Sequence, residues 1–274
     1  MHDQARRGYG TAGAASAYER GRPGYPEDAV AELVRVLGVA PGATVLDLAA
    51  GTGKLTRQLM ATGATLVAVE PVAAMRDQLA RLAAGKVLGG AEPANPADGP
   101  GGGLSVLGGT AEAIPLRDGS LDAVTVGQAF HWFDAGRAVA ELGRVLRPAG
   151  RLGLIWNARD ESRPWVAEIG AILDRHAGDA PRYRDGRWRA AFDAADRFTP
   201  LRHRAFHHLH HLDRAAVLDR FASISFIAVL PDTARARVLD EIGRVIDAES
   251  SPAGQDRIGL PYRTDLYWCE RRGG

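Results

Sequence analysis

The sequence predicts an α/β fold: a doubly wound, mostly parallel sheet with helices on both faces and a helical cap added after it. Three observations predict it. Apolar runs of strand length alternate with segments of helical period from Thr44 to Trp156, and glycine-containing turns punctuate that alternation. After Trp156 the pattern changes to segments rich in Arg, Asp, Trp and Tyr. Parallel neighbours need long right-handed crossovers, so strand–helix alternation builds one sheet and not a set of hairpins.

The elements follow in order. Val45-Leu46-Asp47-Leu48 is the first strand, leading into Gly51-Thr52-Gly53 and a helix that carries Leu55, Leu59 and Met60 and stops at Gly63. Leu66 to Val69 is the second strand, closed by Glu70-Pro71, and its helix places Met75, Leu79 and Leu82 at helical spacing before Gly85. Residues 85–103 hold seven Gly and three Pro without periodicity and read as a surface loop. Leu104–Leu107 and Leu121–Val126 are strands three and four. The helical stripe Ala138, Val139, Leu142, Val145 and Leu146 ends at Pro148-Ala149-Gly150, ahead of a fifth strand over Leu152–Trp156. Phe206–Leu212 and Tyr262–Cys269 read as late strands, with two helical patterns over 213–249 between them. Residues 1–16 are expected to be a flexible tail and 17–274 one domain, with the core sheet over about 40–156 and the cap and last strands over about 157–274.

Composition excludes several classes. With 46% hydrophobic and 24% charged residues, the 274-residue chain can bury a core and is not disordered. Lys+Arg 34 against Asp+Glu 33 leaves +1, so no overall field would hold a nucleic acid or a membrane surface. The single Cys269 cannot make an internal disulfide or a cysteine metal cage, and no apolar run approaches the ~20 residues of a membrane span. A cytoplasmic protein is expected.

The turn at Asp47–Gly53 carries the strongest chemical signal. Glycines after a strand let a ligand approach the backbone, and the helix that follows presents unpaired N–H groups. In open α/β sheets, ligands bind at the carboxyl ends of the strands. A phosphate-cradling P-loop does not fit, because Leu48 and Leu55 stand where its first glycine and its hydroxyl belong. A dinucleotide fingerprint fits poorly, because Thr56 takes the third glycine position and Asp47 would repel a pyrophosphate. A cationic ligand fits better: S-adenosylmethionine (SAM) has an ammonium group that the Asp47 carboxylate favours, directly or through water. Glu70, 19 residues after Gly51 and closing strand two, is placed to accept from two ribose hydroxyls.

On these residues the chain resembles the class I SAM-dependent methyltransferases, in the small-molecule subgroup with a methyltransferase type 11 domain, and within it the trans-aconitate methyltransferase group. Asp47-x-Ala49-x-Gly51-x-Gly53 is similar to the first motif, Arg147-Pro148-x-Gly150-Arg151 to the approach to strand five, and Tyr18 through Pro26 to the N-terminal segment that folds over the cofactor. The resemblance covers residues 18–156 well. It implies a seven-stranded Rossmann-like sheet, SAM as cofactor, and methyl transfer to O, N or C of a small molecule. It also implies cofactor contacts from Tyr18, Arg22, Asp47, Ala49, Gly51, Gly53, Glu70, Pro71, Met75, Thr110, Ala111, Glu112 and Gln128, with Thr110 standing where many relatives carry Asp. The alternatives are a SAM-binding protein of this fold that does not methylate, and a nucleic-acid methyltransferase. Against the latter, Gln128-Ala129-Phe130-His131 replaces the Asn/Asp-Pro-Pro-aromatic segment of the amino-directed base enzymes.

Gln128 to Phe133 follows strand four, where side chains should look toward the transferable methyl. His131 is the candidate catalytic base, or else a positioning group. Trp132 and Tyr25 are candidate substrate contacts, Trp132 alternatively bracing the cap, while Phe130 and Phe133 read as core. His203, His207, His208, His210 and His211 alternate faces on a strand and lack interleaved Cys or carboxylate, so no metal site is expected.

Overall fold

The computed structural model describes residues 22–83, 103–179, 181–249 and 257–273. The expected N-terminal tail, Tyr18 and residues 85–102 of the glycine/proline stretch lie outside the described residues. The strands are β1 (Thr44–Leu48), β2 (Thr65–Val69), β3 (Leu104–Leu107), β4 (Leu121–Gly127), β5 (Leu146–Arg159), β6 (Arg202–Leu212) and β7 (Ile258–Glu270). They form one sheet in the order β3-β2-β1-β4-β5-β7-β6. The pairs from β3 across to β5 are parallel, and β7 runs antiparallel to both β5 and β6. The sheet is therefore mixed: the last strand enters between β5 and β6 in the reverse direction.

The helices are α1 (Glu27–Leu37), α2 (Lys54–Met60), α3 (Ala73–Leu82), α4 (Ala135–Val145), α5 (Pro164–Asp174), α6 (Ala190–Asp193), α7 (Arg214–Ala222), α8 (Ser225–Ala228) and α9 (Asp232–Glu249). Leu33, Leu55, Leu59 and Leu79 bury α1, α2 and α3 on one face of the sheet against Val45 and Ala68. Ala138 and Leu142 of α4 bury the other face against Leu46, Val67 and Val124. Burial on both faces is why β1 and β2 read as unbroken apolar runs. A third cluster, including Ile169, Phe221 and Ile242, packs α5, α7 and α9 onto Leu212 and Tyr262 of the two late strands and forms the cap.

Several boundaries differ from the sequence expectation: β5 runs on to Arg159, β7 begins at Ile258 and not at Tyr262, and three further differences have a visible cause. Leu146 leads β5 instead of ending a helix: α4 stops at Val145, and Ala149, at φ 61°, donates its N–H to the Arg271 carbonyl. β6 begins at Arg202, four residues early, because it pairs with β7 up to Trp268. Its exposed outer face tolerates Arg and His, which read as loop in the sequence. Helix α1, which the sequence pattern did not reveal, ends at Gly38 in a left-handed cap (φ 66°).

Gly53 caps α2 at φ 86°, and a Cβ there would lie 2.6 Å from Leu79 Cδ1 and 2.7 Å from Leu82 Cδ1. It sets the approach of α2 to α3. Gly53→Ala should cost roughly 1–3 kcal/mol, combining overpacking with a positive φ. Urea unfolding checks this, and an unchanged midpoint would show that the helices can move apart freely.

Candidate functional site

A cavity of about 820 Å³ opens at the carboxyl ends of the parallel strands. Its first wall is the turn after β1. Ala49 (φ 56°) and Gly51 (φ 61°) both take left-handed backbone there, bending the chain sharply before α2. Glu70 holds this bend: one carboxylate oxygen accepts the Gly51 N–H at 2.9 Å and the other the Val72 N–H at 2.8 Å. Burial pushes its pKa up to about 7, against the pull of those two N–H groups. Each oxygen keeps a lone pair beyond its backbone bond, so two further donors can be received.

Asp47 plays a different part. It is 1% exposed, and its oxygens accept from the Thr56 hydroxyl at 2.5 Å and the Thr125 hydroxyl at 3.2 Å. Burial raises its pKa to about 6, with the Thr hydroxyls opposing. Thr56, the residue that breaks the dinucleotide fingerprint, thus has a positive role that the sequence did not disclose. Asp47 lines a small side cavity beside the glycine turn and not the main one. Gly53 lines neither; its role is the helix packing described above.

Pro71, Met75, Thr110, Ala111 and Glu112 come together on the main wall with Glu70, as expected. Thr110 bridges to Ala113 in a tight turn, and the Glu112 carboxylate accepts the Asp134 N–H at 3.1 Å, tying this segment to the start of α4. Tyr25 departs from its expected substrate role. It is buried against Gly127, whose added Cβ would meet its hydroxyl at 2.6 Å, and lines only the side cavity. Gln58 fixes it from both sides, accepting from its N–H and donating to its carbonyl.

Gln128, Trp132, His131 and Phe133 line the main cavity from the turn after β4. Gln128 sits at φ 60° and donates its amide to the Asn157 carbonyl at 3.2 Å. Phe130 is wholly buried against Phe133, Phe192 and Trp188, as core. His131, the candidate base or positioning group, is held by a neighbouring ring. Its Nδ1 accepts from the Trp156 indole N–H at 3.3 Å, and burial, with Arg22 nearby, drives its pKa down to about 3. An indole can only donate, so the neutral ring carries its proton on Nε2. The imidazole is then a hydrogen-bond donor whose basic lone pair is already engaged.

The opposite wall was not assembled from the sequence. Trp156 stacks on Tyr183 with ring centres 4.6 Å apart, and Tyr183, Tyr267 and Arg189 share hydroxyl hydrogen bonds. Arg159, at the end of β5, and Arg220, in α7, also line this side. Asn157 donates to the Gly24 carbonyl and accepts from Thr264, fastening the segment after Arg22 across the strand ends. A polar Asn at the end of the buried apolar run of β5 was the available signal. The histidines of β6 disperse: His203 bonds Asp265, His207 lies 3.6 Å from Asp160, and His208 stacks on Tyr262. Among the described residues, no group of three or more His, Cys, Asp or Glu could hold a metal.

Comparison with known proteins agrees with this geometry. A methyltransferase-domain family model matches residues 46–154. An uncharacterized methyltransferase of Mycobacterium tuberculosis is 40% identical over 251 residues, spanning 92% of this chain and 91% of its own. A methyltransferase-like protein of Schizosaccharomyces pombe is 32% identical over 258 residues, spanning 93% and 92%. In fold, the chain is similar to a solved type II methyltransferase of Anaeromyxobacter dehalogenans (TM-score 0.57, 24% identity, 92% of this chain and 97% of that one). It is also similar to a methyltransferase from an antibiotic biosynthesis pathway of Anabaena variabilis (TM-score 0.58, 21% identity, 86% and 95%). With a glycine turn locked by a buried acid and this agreement over nine-tenths of its length, the chain belongs to the methyltransferase family and is a SAM-dependent methyltransferase.

Proposed function

We propose that the enzyme binds SAM along the Glu70 side of the main cavity and methylates a small-molecule acceptor held on the Trp132 and Tyr183 side. The observation that supports the cofactor's placement is the Glu70 carboxylate, buried, fixed by two N–H groups and still able to receive a ribose diol. Gly51, Pro71, Met75 and Thr110 to Glu112 would border the nucleoside, and Arg22 and Gln128 the amino-acid end. Asp47 acts behind them, holding α2 and β4 to the turn through Thr56 and Thr125. When bound, SAM supplies a methyl group on a sulfonium, an excellent leaving group. The chain's own work is positioning and desolvation, because in-line displacement by an anionic nucleophile needs no proton transfer. His131 offers its Nε2–H as a fixed donor, and Trp132 stands beside it with ring centres 5.0 Å apart.

The roofed, aromatic character of the second half of the cavity favours a small molecule over a nucleic acid. No helix among the described residues is long and apolar enough to cross a membrane. Together with a single buried thiol, Cys269, this supports a cytoplasmic enzyme. Incubation with methyl-labelled SAM and a panel of small acceptors should yield S-adenosylhomocysteine, and failure to bind SAM at all would overturn the assignment.

Two predictions test the roles. The ribose diol needs an ionised Glu70, whose pKa is about 7, so SAM affinity should climb between pH 6 and pH 8 and then level off. Glu70→Gln should lose roughly 10–100-fold in affinity at pH 8, the worth of charged hydrogen bonds, and flatten the climb. A pH-independent wild-type affinity in calorimetry would contradict this. In the ligand-free protein the same burial works the other way: Glu70 and Asp47 favour folding at acidic pH, and that contribution is lost as pH rises from the ordinary carboxylate range of about 4 to about 6 for Asp47 and about 7 for Glu70.

His131→Asn, which keeps a donor but no basic nitrogen, should retain kcat within about tenfold and show the wild-type pH profile from pH 6 to pH 8. A loss of about 100-fold or more with unchanged SAM affinity would restore His131 as the base.

A further inference from the structure

Three arginines converge where the cap meets the sheet: Arg22 before α1, Arg159 at the end of β5 and Arg220 in α7. Their positive charges interact, each of the latter two depressed by its neighbours and, more strongly, by burial. Most other arginines of the cavity have close partners. Arg182 and Arg184 share Asp174 at 2.7 and 2.5 Å, and Arg263 bonds Asp265 at 3.0 Å. Arg159 and Arg220 do not. Arg220 is 4% exposed; its Nε donates to the Tyr262 hydroxyl, its Nη1 has no hydrogen-bond partner among the described residues, and no carboxylate pairs with it there. Arg159 reaches only Glu161, at 3.9 Å, and its buried Nε is likewise unsatisfied. The Arg159 guanidinium rests over the Phe221 ring at 5.7 Å, which holds it in place but does not neutralise it.

Burying a guanidinium without a counter-ion is unfavourable, and proteins keep such groups where a ligand completes them. SAM alone cannot complete these. It brings one carboxylate, but also an ammonium and a sulfonium, so its binding adds net positive charge near Arg159 and Arg220. Arg220 borders both the main cavity and the side cavity with Arg22, within reach of the cofactor's amino-acid end; Arg159 borders only the main cavity. A second anion on the acceptor side would meet the unsatisfied Arg220 Nη1 and Arg159 Nε, and a cavity of about 820 Å³ lies near the top of the ~300–1,000 Å³ typical of ligand pockets, with room for two ligands.

We propose that the methyl acceptor carries an oxyanion, a carboxylate or a phosphate, that docks on Arg159 with Arg220 beside it. This rests on the cavity being the methyl-transfer site, and it assigns Arg159 as the residue that selects acidic acceptors over neutral ones of the same shape.

The test uses the full chain saturated with S-adenosylhomocysteine, whose own binding is measured first by calorimetry. Absence of that binding would overturn the methyltransferase site, not the anion subsite, so the two failures are distinguishable. Glutarate, its neutral diamide glutaramide, and inorganic phosphate are then compared by thermal shift at constant ionic strength. Glutarate or phosphate at tenfold its dissociation constant should raise Tm by about 2–4 °C, with no shift from glutaramide. A shift from glutarate alone assigns a carboxylate, and from phosphate alone a phosphate ester. Arg159→Met should abolish the shift while keeping S-adenosylhomocysteine affinity within about threefold, which also shows that the variant is folded. Equal shifts from diacid and diamide, no shift from either anion, or a shift that survives Arg159→Met would each overturn the proposal. So would a tenfold loss of S-adenosylhomocysteine affinity in that variant, because Arg159 would then belong to the cofactor. Should Arg159→Met fail to fold, the wild-type comparison of diacid with diamide still decides.

Discussion

The site depends on one buried carboxylate. Glu70 closes β2 and binds the Gly51 N–H, so the end of the second strand and the turn after the first are held at a fixed separation. That bond adds to the Ala50 N–H donated to the Val69 carbonyl at 3.2 Å, and together they hold a turn with left-handed backbone at Ala49 and Gly51. Desolvation of the acid is unfavourable by itself and raises its pKa to about 7, although the two N–H groups and the nearby Arg76 charge pull the other way. A group poised in this way is sensitive to one more pair of donors. The ligand that supplies them completes the charge, and that is how a structural tie becomes a recognition element.

The cavity has two unlike sides. Glu70 and Glu112 face it from the turns after β2 and β3, while β5 and the cap bring arginines, most of them paired with Glu161, Asp174 or Asp265, and among them Arg220 without a carboxylate among the described residues. Between them lie side chains locked by their surroundings: Gln128 to Asn157, and His131 to the Trp156 indole. Asn157 in turn anchors the segment ahead of α1 at Gly24 and β7 at Thr264, so β5, β7 and that segment meet at one residue. Such fixed polar groups suit a displacement whose barrier is lowered by orientation and exclusion of water.

The α/β alternation was legible because β1 to β5 are parallel and covered on both faces, so their apolar runs stand out between glycine turns. Glu70 was legible because strand order alone places the residue that ends β2 beside the turn after β1. What sequence could not supply was contact between distant segments. Thr56 looks like a failed glycine until Asp47 is seen to accept from it, and Tyr25 looks like a site residue until Gly127 is found beneath its hydroxyl. His131 carried a plausible pKa in isolation, and only the Trp156 indole, 25 residues on, reveals its tautomer. Arg159 and Arg220, 61 positions apart, are two among many arginines in the sequence and become distinctive only because each buries a nitrogen with no hydrogen-bond partner among the described residues.

The most direct measurement of the central claim is the number of protons exchanged when S-adenosylhomocysteine binds at pH 7, obtained by calorimetry in buffers of different ionisation enthalpy. With Glu70 half protonated in the free enzyme and ionised beneath the ribose, about half a proton should be released, and Glu70→Gln should reduce that release. Zero exchange, or net uptake, in the wild-type protein would contradict it.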